Sequence, residues 1–167
     1  SIQAIVYTSN PGFPRQYAAM LADRTGLPLY SLTEAESALP AGTEILYMGW
    51  FRMERVRFLK KAQKRFRIAC LVGVGDIETG TMVEEFRKIG KIPADMPFFT
   101  LQGGLDIDRL RGIDKLLMKI MVRFLATAKK KEGADAPSDP MLDLLLHGGS
   151  RVSPDNLNAV LDWVNSH

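Results

Sequence analysis

Apolar runs of strand length alternate along this chain with stretches whose apolar residues recur at helical spacing. The strand candidates are "QAIVYT" (3–8), "LPLYSL" (27–32), "EILYMGW" (44–50), "RIACLVGVG" (67–75) and "MPFFTLQG" (96–103). Glycine, proline or charge clusters bound each of them. Helices are expected over about Pro14 to Thr25, Glu54 to Arg65, Thr79 to Ile89 and Ile113 to Ala128, with a terminal helix over Pro154 to Val164. Ser153 stands where an N-cap belongs and Pro154 at the first helical position. This alternation marks an α/β domain. A run such as "IACLV" has no polar alternation, so its strand is covered on both faces and the sheet is expected to be parallel.

Composition narrows the class. A chain of 167 residues that is 46% hydrophobic and 25% charged suits one globular domain over 1–167 with a substantial core. No apolar run approaches the roughly 20 residues of a spanning helix, and the opening "SIQAIVYT" reads as a strand, so the cytoplasm is the expected compartment. Cys70 is the single cysteine, has no partner for an internal disulfide, and is expected to behave as a small buried hydrophobe. With His147 and His167 as the two histidines, a structural zinc site cannot be assembled, and no metal is expected. "KKKEGADAPSDP", 129–140, reads as an exposed connection.

In an open parallel sheet, ligands bind beyond the carboxyl ends of the strands, where the strand order reverses. Those ends are "TSNPGFPR", "GWFRME", "GVGDIETG" and "QGGLDIDRLRG". Asp76 and Glu78, and Asp106 with Asp108, follow strands, but loop carboxylates are ordinary caps. No catalytic constellation emerges, and no catalytic residue is assigned.

The strand-one loop followed by "YAAMLADRTG", the "MGW" at 48–50, and "FFTLQGGLDIDRLRGIDKLLMKIM" at 98–121 together resemble the flavodoxin family. The likeness is to the flavodoxin-like domains of anaerobic bacteria and, more distantly, to flavodoxin-type protoporphyrinogen oxidases. The resemblance covers almost the whole chain. It implies a doubly wound five-stranded parallel sheet of order 2-1-3-4-5, with an insertion near the fifth strand at about 105–150. It also implies FMN across the carboxyl ends and a role in electron transfer or as the flavin part of an oxidoreductase. The phosphate would sit on Ser9, Asn10, Gly12, Phe13, Pro14 and Arg15. The ring would lie between Trp50 or Phe51, beside Gly49, and the loop carrying Gly75 and Asp76.

The chain departs from the family's phosphate loop, which reads Ser or Thr, any residue, Thr, Gly, any residue, Thr. Here Pro11 and Pro14 stand in place of the two threonines. Each proline removes an N–H and a hydroxyl, and a hydrogen bond to a charged group contributes about 1.5–3 kcal/mol. Arg15 could offset the loss with a guanidinium fork. The alternative is a flavin-free flavodoxin-fold binding or scaffold module.

Charge is unevenly spread. The net charge is +3, yet 52–67 carries eight cations against Glu54, and 109–131 carries eight against Asp114. In the second block Lys115, Lys119 and Arg123 line one face of an amphipathic helix. These segments suit an acidic redox partner or an anionic membrane surface. Nucleic acid is disfavoured, because no aromatic-interleaved stacking surface accompanies the charge.

Overall fold

The run "RIACLVGVG" forms the strand Arg67–Gly75, buried from Cys70 onward, and the other elements assemble around it. The computed structural model describes residues 1–9, 12–104, 123 and 150–167. Asn10, Pro11, Asp106, Asp108, His147, the helix expected over 113–128 apart from Arg123, and the connection expected over 129–140 fall outside the described residues. So does the 109–131 basic segment apart from Arg123. In chain order the elements are β1 (Ala4–Tyr7), α1 (Phe13–Thr25), β2 (Leu29–Ser31), α2 (Leu32–Ala38), β3 (Glu44–Arg52) and β4 (Arg55–Val56). There follow α3 (Leu59–Arg65), β5 (Arg67–Gly75), α4 (Val83–Ile89), β6 (Phe98–Gln102), a 3₁₀ turn Pro154–Leu157, and α5 (Asn158–Asn165).

The protein has an α/β fold with a mostly parallel central sheet. Neighbouring strands run β2-β1-β3-β5-β6, all parallel, and the short β4 pairs antiparallel with the end of β3. Strand alternation divides the core in two. Val6, Ile45, Tyr47 and Leu71 face one layer with Ala35 of α2, Ala62 of α3 and Phe86 of α4. Ile5, Leu46, Met48, Val72 and Val74 face the other, against Tyr17 and Leu21 of α1 and Val160 of α5. Cys70 lies in this second layer, fully buried and unpaired, and burial raises its thiol well above the usual range.

The chain's contacts fall into two units: Ser1–Gly103 with Val152–His167, and Gly104–Arg151. In the second, Gly104 pairs with Ser150 in an isolated antiparallel bridge.

Three local expectations are corrected. The helix expected from Glu54 begins at Leu59, because Arg55–Val56 folds back as β4. The helix expected from Thr79 begins at Val83. Thr79 Oγ1 instead accepts the Gln102 N–H at 2.9 Å, and Thr100 Oγ1 donates to the Thr81 carbonyl at 2.8 Å, which holds the preceding loop against β6. The strand expected through Leu32 stops at Ser31, where a capping box with Glu34 starts α2. At the chain's end, Ser153 precedes the 3₁₀ turn with Pro154 at its start, but it makes no side-chain cap bond.

Candidate functional site

Strand order reverses between β1 and β3, so the loops leaving these two strands part to opposite faces and open a crevice. At this point β4 runs in line with β1. The Thr8 N–H donates to the Met48 carbonyl at 3.0 Å, and two residues further along β3 the Arg57 N–H donates to the Trp50 carbonyl at 2.9 Å. Gly49 lies between them because a Cβ there would approach Val56 Cγ1 at 2.9 Å and the Arg57 carbonyl at 3.2 Å.

Tyr47 fastens this arrangement. Its hydroxyl donates to the Arg57 carbonyl at 2.6 Å, which uses its single proton, so Thr8 Oγ1 at 2.8 Å must be the donor to Tyr47. Burial pushes the Tyr47 phenol up to about 12, and the Thr8 hydrogen bond opposes that only partly. The end of β1, the body of β3 and the hairpin are thus tied through one buried oxygen.

Above the tie is a cavity of 50 Å³ bounded by Thr8, Ser9, Trp50, Arg57 and Phe58. That is space for one or two water-sized groups. Ser9 Oγ accepts the Arg15 N–H at 3.3 Å, across the start of α1. Gly12 is the N-cap residue, without a side-chain cap, and its carbonyl accepts the Gln16 N–H at 3.2 Å. Phe13 and Pro14 are buried, while Arg15 points its side chain to solvent. The Phe13 ring lies 5.7 Å from the Trp50 ring.

Trp50 and Phe51 part company. Trp50 is half-buried on the α1 side, against Phe13 and Gly103. Phe51 turns to the other layer and covers β5: a Cβ on Gly73 would stand 2.2 Å from its Cζ, and one on Gly75 would stand 2.9 Å from its Cδ2. Phe86 at 4.5 Å and Phe98 at 6.2 Å complete that aromatic cluster. Asp76 is exposed just beyond Gly75. The switch point therefore brings together Ser9, Gly49 and Trp50, with Phe13 beneath and Arg15 joined to Ser9. Phe51 and Gly75 belong to the packing over β5.

Arg57 was not among the residues expected at the site, having been read as part of a basic helix. The sequence carries no turn signal there, since Met53 and Glu54 stand where a tight hairpin ordinarily has Asn, Asp or Gly. Among the described residues, no three His, Cys, Asp or Glu side chains gather as a metal site, and no helix is long and apolar enough to cross a membrane. No family model, curated protein or solved structure matches the chain.

Proposed function

We propose that this chain is a flavodoxin-like domain that carries FMN at the carboxyl edge of its sheet and serves electron transfer, alone or as the flavin part of an oxidoreductase. The observation that carries the reading is the convergence of Ser9, Trp50 and Arg57 on the point where strand order reverses. The strand order β2-β1-β3-β5-β6, leaving aside the hairpin strand β4, supports this reading, since it is consistent with a 2-1-3-4-5 sheet.

The described residues suit the phosphate end of FMN better than the ring end. For the phosphate there are the Ser9 hydroxyl, the guanidinium of Arg57 and the positive end of the 13-residue α1. Arg57 supplies a cation at the cavity, which Arg15 of the two-proline loop, exposed to solvent, does not line. For the ring, Trp50 presents a half-buried aromatic surface, whereas Phe51 is committed to Gly73 and Gly75. FMN, when bound, supplies one- and two-electron chemistry, and the protein's contribution is position and electrostatics. Arg57 would hold the phosphate, Trp50 would pack against the ring, and the Tyr47 clasp would keep Arg57 in place.

A flavin-free binding module is the second reading. It is favoured by the sealing of Phe51 onto β5 and by a cavity far below the roughly 300 Å³ of an ordinary ligand pocket. Fluorescence titration with FMN separates the two. Saturable quenching of flavin emission supports the flavoprotein, and a protein that leaves FMN emission unchanged at millimolar concentration supports the module.

A further inference from the structure

The hairpin that ends β3 gathers like charges that form no ion pair among the described residues, not even with Glu54 of its own turn. Arg52 and Arg55 are directly paired across the β3–β4 ladder, where like charges repel. The two residues joining them, Met53 and Glu54, are both left-handed, at φ 50° and 65°. A turn of this kind ordinarily takes Asn, Asp or Gly, so the sequence holds the two arginines together against both charge and backbone preference. The ion pairs among the described residues use Glu44, Glu36 and Glu84, and none of these involves the hairpin.

Beside the hairpin is a groove of 360 Å³, within the size range of small-ligand pockets. Arg52, Arg55, Arg57, Lys60 and Lys91 line it, and no carboxylate does. Phe58, 48% exposed and left-handed at φ 61°, lies at the groove with the Arg57 guanidinium 5.1 Å from its ring centre. Lys91, reaching the groove from the end of α4, is left-handed as well, at φ 54°.

We infer that this groove is a binding site for a small molecule carrying two or more phosphate groups, such as a pyrophosphate or a nucleoside di- or triphosphate. Three guanidinium forks match phosphate oxygens in pairs, and the two ammonium groups add point charges. A single carboxylate would leave most of the five cations uncompensated. A protein partner needs roughly 800 Å² of surface on each side, whereas these cations converge on one concavity. The groove adjoins the proposed flavin site and shares Arg57 and Phe58 with it, while Arg52, Arg55, Lys60 and Lys91 line the groove alone.

The test is isothermal titration of the full chain with inorganic pyrophosphate and with ATP at about 0.15 M salt, where long-range attraction between exposed charges is largely screened. One-to-one binding is expected. Arg55→Gln with Lys60→Gln should weaken it by about tenfold or more. Both side chains are exposed and Arg55→Gln relieves the repulsion from Arg52, so the urea midpoint should hold or rise slightly; if the pair fails to fold, Lys91→Gln alone should still weaken binding. The same variants should leave any FMN response intact. The inference is overturned by no binding of either probe at millimolar concentration, or by binding that the variants do not change. It is also overturned by parallel loss of FMN and pyrophosphate binding, or by capture of a Glu-rich peptide that pyrophosphate does not displace.

Discussion

The carboxyl end of β3 meets its two neighbours in opposite ways. Toward β1 the contact is polar and open: a tyrosine hydroxyl, a threonine hydroxyl and the Arg57 carbonyl form a clasp beneath a small cavity. Toward β5 it is apolar and sealed, with the Phe51 ring laid on Gly73 and Gly75 and backed by Phe86 and Phe98. Two residues on the same face of β3 make this difference, Tyr47 bonding to Thr8 and the Arg57 carbonyl and Phe51 lying over β5. The sealed side fixes the height and direction of the strand end. The clasped side uses that fixed position to hold a cation and a hydroxyl where the strand order reverses.

Breaking the sealed side should have the largest effect on stability. Phe51→Ala removes a ring shared by three elements and should cost about 3 kcal/mol, read from the urea midpoint. Gly73→Ala attacks the same contact from below, and since the ring has little room to retreat it should cost about 1–3 kcal/mol. A midpoint unchanged in Gly73→Ala would mean that the ring does not lie on this glycine.

The clasp should show itself in alkali. The Tyr47 phenol is raised from 10.0 to about 12 in the folded chain. Its contribution is therefore complete below about pH 10 and is lost as pH rises through about 12, a loss of about 2–3 kcal/mol. Tyr47→Phe should cost about 1–2 kcal/mol at neutral pH, because it leaves the Arg57 carbonyl and the Thr8 hydroxyl without their partner. The variant should also flatten the fall in stability between pH 10 and 12. An undiminished alkaline fall in Tyr47→Phe would place the titrating group elsewhere; Tyr17, whose phenol is also raised by burial, is then the group to substitute.

The smallest effect on stability is expected from Arg57→Gln, under about 0.5 kcal/mol, since its backbone makes the clasp and its side chain is only half-buried. Its effect should appear in ligand binding. A shift in urea midpoint as large as that of Tyr47→Phe would make the Arg57 side chain part of the clasp.

Much of this comparison was legible in the sequence because burial on both faces leaves a plain mark. β5 spans the apolar run 67–75 without adjustment, and α1 begins one residue before the expected Pro14. What was not legible depended on tertiary partners. Glu54 and its basic neighbours favour a helix by propensity, yet Tyr47, seven residues earlier, holds the Arg57 carbonyl and the hairpin wins. The loop at 79–82 carries threonines that pair with β6, a partner some twenty residues away. Ser31 with Glu34 was a readable capping box, hidden because the apolar Leu32 extended the preceding strand pattern. Trp50 and Phe51 looked equivalent as ring partners until the register of β3 assigned them to opposite faces.

The most direct test of the central claim compares FMN with riboflavin, which lacks the phosphate, against the unmodified chain and Arg57→Gln by fluorescence titration. The account predicts that FMN binds more tightly than riboflavin to the unmodified chain, and that Arg57→Gln narrows the gap by about tenfold or more while leaving riboflavin affinity unchanged. Equal affinity for the two flavins in the unmodified chain, or no binding of either at millimolar concentration, would contradict it.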